Sequence, residues 1–160
     1  MFNLATYTLI HVVFSLVGIG SGIVVVLGLI AGRRLNISNA LFLGTTVATS
    51  VTGYGFPFDH LLPSHIVGAI SLIVLAVAIY ARYARRLVGR WRVAFVVSAV
   101  AALYFNCFVL VVQAFLKVPG LNALAPTQSE PPFAVAQLTV LVLFIVLGTL
   151  AVRGSKGLTA

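Results

Sequence analysis

Residues 4–34 read LATYTLIHVVFSLVGIGSGIVVVLGLIAGRR, an apolar stretch that ends in two adjacent arginines. A helix needs about 20 apolar residues to cross a bilayer, and residues 4–31 contain no charged side chain. A secretory signal peptide has a shorter apolar core, preceded by a basic segment. We therefore interpret this stretch as a retained membrane span whose C-terminal end is basic.

The composition of the whole chain favours lipid over water as its main solvent. Of the 160 residues, 61% are hydrophobic and only 8% are charged, whereas soluble domains carry about 25% charged residues. We predict an all-α integral membrane protein in which residues 1–160 form one domain, a five-helix transmembrane bundle. Its predicted spans are residues 4–31, 40–58, 64–81, 93–115 and 133–152.

The basic residues give the predicted bundle its orientation. Arg33 and Arg34 follow the first span, five arginines separate the third span from the fourth, and Arg153 and Lys156 follow the fifth. With five spans, nine of the ten basic residues lie on one side of the bilayer, and basic short loops mark the cytoplasmic side. We therefore predict a multi-pass protein of a bacterial-type inner membrane, with its N-terminus outside and its C-terminus in the cytoplasm.

The remaining charges lie on the predicted outer side, where Lys117 accompanies both acids, Asp59 and Glu130. The formal charge of +8 and the pI near 10.6 then describe a basic inner rim against anionic lipid headgroups. The expected partner of this rim is the lipid bilayer, and we expect no nucleic acid to bind.

Polar residues of the spans concentrate in the predicted outer half. In the first span, His11 shares a helix face with Gly18 and Gly22, and small residues at this spacing let helices pack closely. His65, in the first turn of the third span, lies at a similar depth. Both histidines are therefore expected to face the interior of the bundle.

The last two spans add amide and ammonium groups at the same level. Asn106, Gln113 and Lys117 recur on one face of the fourth span, and Gln137 lies about one turn inside the fifth. The connection at residues 117–132 is rich in proline, which favours a constrained loop over a helix. We predict a polar recess in the outer half, lined by these groups and covered by this outer loop.

Two cofactor hypotheses follow from this recess. A haem b needs two neutral imidazoles on facing helices and a cation for its propionates, which His11, His65 and Lys117 could supply. A quinone needs a histidine or amide group in an apolar cleft, and Gln113 fits that requirement together with either histidine.

A metal site is a third hypothesis, since imidazole and carboxylate groups are common metal ligands. It would combine His11, His60, His65 and Asp59. The pattern is weak, because His60 and His65 are five residues apart across Pro63 and do not form a compact i, i+4 pair.

The alternative is a purely structural role for these polar groups. Amide and hydroxyl side chains also join helices by hydrogen bonds that contribute about 0.6 kcal/mol each. Asn106, Gln137, Gly18 and Gly22 are assigned to such a polar core.

The sequence contains no recognisable catalytic constellation, because its only two acids lie on separate loops and its only cysteine, Cys107, lies within an apolar run. We expect an accessory or electron-transfer-associated subunit of a larger membrane complex, with protein partners or further copies of itself in the membrane. The alternative is a permease for a small solute or an ion that uses the same outer recess.

The predicted orientation can be tested with single cysteines in a chain that carries Cys107→Ala. We expect a membrane-impermeant maleimide to label Arg33→Cys only after the membrane is permeabilised, because this position lies on the cytoplasmic side. The matched variant Ser129→Cys should react in intact cells. Labelling of position 33 in intact cells would contradict the topology.

Overall fold

A computed structural model of the chain describes residues 3–57 and 63–158, apart from the side chains at positions 63 and 64. Of the described residues, 85% are helical and none lies in a strand, which confirms the predicted all-α class. The helices are α1 (Leu4–Ile30), α2 (Asn36–Gly53), α3 (Pro63–Ile79), α4 (Arg90–Lys117), α5 (Pro119–Leu124) and α6 (Pro131–Gly154). A π-helical turn, Tyr80–Ala84, extends α3, and a 3-10 turn, Ser155–Leu158, follows α6.

Four of the described helical stretches are long and apolar enough to cross a membrane, as expected of a membrane protein. They are Leu4–Ile30, His65–Ala84, Arg90–Lys117 and Pro131–Leu158. Helix α2, which corresponds to the predicted span 40–58, is shorter and contains several threonine and serine residues. The count of five spans therefore stays a prediction.

Two boundaries differ from the sequence-based expectation. Helix α2 ends at Gly53, where the N–H groups of Tyr54 and Gly55 turn back to the carbonyls of Val51 and Thr52. The predicted loop 117–132 contains the short helix α5, because Pro119 occupies a first-turn position, which suits the fixed φ of proline.

The helices pack most tightly toward one end of the bundle. In α1, every buried residue lies between Gly18 and Leu29, and in α6 the buried residues are Phe144 and Ala151. Helix α4 contacts α1, α3 and α6 and contributes Phe95, Val96, Ala99 and Leu103 to the core.

Arginine side chains join separate segments at this tightly packed end. Arg82 donates from Nη2 to Asn36 Oδ1 over 2.7 Å, and Arg92 donates from Nη1 to Ser155 Oγ over 2.7 Å. Arg34 donates to the carbonyl of Leu158. These contacts bring the α1–α2 connection, the α3–α4 connection and the C-terminal turn together. We call this the arginine end, and the opposite end of the bundle the cavity end.

Gly22 allows α1 to approach α2 and α4. A Cβ atom at this position would lie 2.7 Å from Leu103 Cδ1 and 2.8 Å from Phe42 Cε2. Both side chains are almost fully buried, at 1% and 0% exposure, so neither can move aside without disturbing the core.

We expect Gly22→Ala to destabilise the protein by about 1–3 kcal/mol, because overpacking in a rigid core costs that much. Gly20→Ala is the matched control on the same helix, since a Cβ atom there meets nothing within 4 Å. The control should be neutral or slightly stabilising, because alanine favours helix over glycine by up to about 1 kcal/mol. Equilibrium unfolding in detergent would measure both values, and equal stability of the two variants would contradict this packing.

Candidate functional site

A cavity of about 730 Å³ lies at the cavity end between α1, α2, α3 and α4. Its volume falls within the range of about 300–1,000 Å³ that is typical of small-molecule sites. The predicted ligand-binding residues His11, His65, Gln113 and Lys117 all line it. The structure thus brings these four residues to one place.

Asn106 lies at the inner limit of the cavity and joins two helices. It donates from Nδ2 to Thr46 Oγ1 over 3.3 Å, and both residues are buried. Gly18 of α1 makes room for this pair, because a Cβ atom there would lie 3.1 Å from Thr46 Oγ1. The predicted structural role of Asn106 and Gly18 therefore has a specific geometry, and Asn106 also lines the cavity.

Gln137 does not share this interior, contrary to the expectation from its depth. It donates from Nε2 to the carbonyl of Phe108 over 3.2 Å and is not among the cavity-lining residues. The bond joins α6 to α4, as the structural role assigned to Gln137 requires, but depth along α6 does not say which face of α4 that helix contacts.

His11 is held in one orientation by residues of α2 and the segment that follows it. Its Nδ1 atom lies 2.8 Å from Thr52 Oγ1. The ring of Phe56 packs edge-on against the imidazole at 5.1 Å between centroids, and Tyr7 donates to the carbonyl of Thr52 over 2.7 Å. These contacts fix the imidazole at the junction of α1 and α2.

The bond between His11 and Thr52 has a defined direction. The Thr52 hydroxyl lies 2.7 Å from the carbonyl of Ala48, and a carbonyl can only accept a hydrogen bond. The 2.7 Å contact favours donation of the single hydroxyl proton to Ala48, and in that arrangement Thr52 Oγ1 accepts from Nδ1 of His11. The neutral imidazole then carries its proton on Nδ1 and leaves Nε2 as an acceptor.

His65 lies in the first turn of α3 and is 6% exposed. Tyr54 donates to the carbonyl of His65 over 2.6 Å, and the two rings lie 5.5 Å apart between centroids. Tyr54 thus links the end of α2 to the start of α3. Neither Tyr54 nor Thr52 was assigned to the site from the sequence, in which the run from Thr52 to Gly55 indicated only the end of a helix and a turn.

The side of the cavity between α1 and α4 is apolar and reaches the surface. Val12 and Leu16 of α1 and Leu110 of α4 line it, and their exposed fractions are 38%, 54% and 44%. Gln113 and Lys117 lie along the same α4 face and line the same cavity. The cavity therefore combines a lateral apolar opening with a polar wall.

The predicted metal site depends on residues outside the described part of the chain. Asp59 and His60 lie in the interval 58–62, which is not described, so this prediction is untested. Within residues 3–57 and 63–158, no three histidine, cysteine or acidic side chains lie close enough together to hold a metal ion.

The Pro-rich segment does not cover the cavity as predicted. Of residues 117–132, only Lys117 and Val118 line it. Gln128 donates to the carbonyl of Val112 over 2.9 Å, and Asn122 donates to the carbonyl of Phe115 over 3.1 Å. These bonds attach the segment to a part of α4 that does not line the cavity.

Comparison of the chain with protein-family models, curated proteins and solved structures gave no match.

Glu130 gives this segment a pH-dependent anchor. Desolvation acts to raise the pKa of Glu130, but hydrogen bonds from the Thr127 hydroxyl and from nearby backbone N–H groups outweigh it and hold the pKa below its ordinary value of 4.5. The backbone donors include the N–H groups of Thr127 and Ser129. The stabilisation from the carboxylate is therefore present above pH 4.5 and is lost as the pH falls through the folded-state pKa.

We expect a titration of Glu130 to give a midpoint below 4.5, the ordinary value. The chain contains a single glutamate, so selective 13C labelling of the glutamate carboxyl yields one NMR resonance. Glu130→Gln should remove that resonance. It should also remove the pH dependence of the conformational order of residues 127–130. A midpoint at or above the ordinary value would contradict the hydrogen-bonded geometry.

Proposed function

We propose that this chain is a small accessory or electron-transfer-associated subunit of a larger membrane complex, and that its cavity binds a membrane-soluble ligand with a polar ring, of the quinone class. The observation that carries the proposal is the composition of the cavity. His11 of α1 and Gln113 and Lys117 of α4 line the cavity together with exposed apolar residues of the same two helices. A ligand dissolved in the bilayer could enter sideways while its polar ring reaches the hydrogen-bonding groups.

The proposed setting is the inner membrane, with five spans, the N-terminus outside and the C-terminus in the cytoplasm. The position of α2 supports the fifth span. Asn36 at its start is bonded to Arg82 at the arginine end, and Thr52 near its end is bonded to Tyr7 and His11 at the cavity end. Helix α2 therefore extends between the same two ends as the four more apolar helices.

Several polar residues of α2 are compatible with a span because they bond locally, whereas Asn39 Oδ1 and Thr49 Oγ1 are buried without a hydrogen-bond partner among the described residues. Thr45 donates to the carbonyl of Leu41 over 2.7 Å, and Thr52 donates to the carbonyl of Ala48 over 2.7 Å. Ser50 donates to Ser71 of α3 over 3.3 Å. Hydroxyl groups that are satisfied within the bundle lower the cost of placing them in lipid.

A haem b is the second candidate occupant, since His11 and His65 both line the cavity. The proton on Nδ1 of His11 is bonded to Thr52, which leaves Nε2 for iron, and metal-bound histidines commonly have such a partner on the other nitrogen. Lys117 would meet a propionate.

A permease is supported less well by the same geometry. Below Asn106 the bundle is filled by Phe42, Leu103 and Val25, which are 0%, 1% and 1% exposed. Helices α1 and α4 run unbroken past this core, whereas transporters commonly form their sites from helices that are interrupted near the middle of the membrane. Ligand binding is therefore the better account.

Calorimetry tests the ligand proposal by measuring the binding of a decyl-substituted benzoquinone and of its hydroquinone to the purified protein. One of the two forms will bind more tightly to the native protein. We expect Gln113→Leu to weaken the binding of that form by about tenfold, because the loss of one hydrogen bond in a water-poor site costs about 1 kcal/mol or more. The matched control is Gln137→Leu, which makes the same change on the far side of α4 and should leave the affinity unchanged.

An absorption spectrum separates the two candidate occupants. A Soret band in the spectrum of the native protein that is lost in both His11→Ala and His65→Ala would identify the occupant as a haem instead of a quinone. A spectrum without a chromophore, together with no binding of either benzoquinone form up to its solubility limit, would contradict the proposed function.

A further inference from the structure

We infer that the cavity selects a ring ligand that presents a hydroxyl group, a phenol or hydroquinone, over one that presents only carbonyl oxygens. The inference rests on the proposed function, in which a membrane-soluble ring ligand enters this cavity. It concerns the hydrogen bond between the ligand and His11, and it names the reduced form of a quinone-class ligand as the preferred occupant.

The first step concerns the single hydroxyl proton of Thr52. Its hydroxyl is 2.7 Å from the carbonyl of Ala48 and 2.8 Å from Nδ1 of His11. One proton cannot serve both contacts, and the carbonyl has none to offer. The hydroxyl therefore donates to Ala48 and accepts from Nδ1 of His11.

The second step is the charge of the imidazole. None of the described residues that line the cavity is acidic, and Lys117, the one charged side chain among them, has the same sign as an imidazolium. The lining is mostly apolar, and a second uncompensated positive charge in it is costly. His11 is therefore neutral, and its Nε2 atom carries a lone pair and no proton.

The third step is the match to the ligand. A quinone carbonyl carries only lone pairs, so beside Nε2 it would place two acceptors together and leave both without a donor. A hydroquinone hydroxyl donates to Nε2 and forms the missing bond. Sites that hydrogen-bond a ligand hydroxyl reject analogues that lack it, because a polar group of the site is then left unpaired.

The other polar groups do not reverse this preference. The amide N–H groups of Gln113 and the ammonium group of Lys117 can donate to an oxygen of either form, since carbonyl and hydroxyl oxygens both accept. Among the nitrogen groups of His11, Gln113 and Lys117, only Nε2 of His11 accepts without donating, and Thr52 acts as the residue that positions it.

The test compares three ligands under anaerobic conditions in the calorimeter: a decyl-substituted benzoquinone, its hydroquinone and the dimethyl ether of that hydroquinone. We expect the hydroquinone to bind at least tenfold more tightly than the other two. Thr52→Val keeps the shape of the side chain but removes the acceptor for Nδ1, so the imidazole is free to place its proton on Nε2. In this variant the preference should fall below about threefold, so that less than about 0.7 kcal/mol of it remains by the tenfold rule.

The matched control is Thr139→Val on α6, whose hydroxyl bonds only to the carbonyl of Val135 in its own helix. It should keep the full preference for the hydroquinone. Helical circular dichroism of both variants checks that they are folded. His11→Phe, which removes both nitrogen atoms, should abolish the preference while leaving an aromatic ring in place.

The outcomes separate this inference from the proposed function. Equal binding of quinone and hydroquinone, or tighter binding of the quinone, overturns the inference and leaves the proposed function standing. No binding of any of the three ligands overturns both. A full preference that persists in Thr52→Val overturns the positioning role of Thr52.

Discussion

The structure depends on the imbalance between ten basic residues and two acids. Charges inside the hydrocarbon region are costly unless they are paired, and this chain has few internal partners for its cations. The arginines are therefore expected outside the apolar segments. At the arginine end they bond instead to neutral oxygens, as in the contacts from Arg82 to Asn36 and from Arg92 to Ser155. The same contacts hold three chain segments together, so the constraint on charge also organises the fold.

Sequence periodicity predicted which residues share one face of a single helix. The face shared by His11, Gly18 and Gly22 does point into the bundle, because turns of a helix repeat along its axis, and the stripe of Asn106, Gln113 and Lys117 lines the cavity. Periodicity says nothing about which neighbour a face meets. Gln137 therefore lies apart from the cavity lining and bonds instead to the carbonyl of Phe108 on α4.

The contacts that define the chemistry of the cavity could not be read from spacing. Thr52 and His11 are 41 residues apart, and the role of Thr52 depends on two partners on different helices. The sequence indicated only that a histidine lay near the predicted outer end of a span. The direction of the hydrogen bond needed the distance from Thr52 to Ala48 and the distance from Thr52 to His11 together, which are properties of the packed α1–α2 pair.

Unequal packing along the bundle explains why a cavity forms at one end. Close approach of α1 and α6 at the arginine end requires Gly154, since a Cβ atom there would overlap the backbone of Ile30. Toward the cavity end α6 takes no part in lining the cavity, and α1 buries no residue before Gly18. Helices packed at uniform density would leave no volume for a ligand, because protein interiors contain few voids larger than a water molecule. The tight arginine end therefore supplies the stability that lets the other end stay open, and regions of low local stability are where binding sites are commonly found.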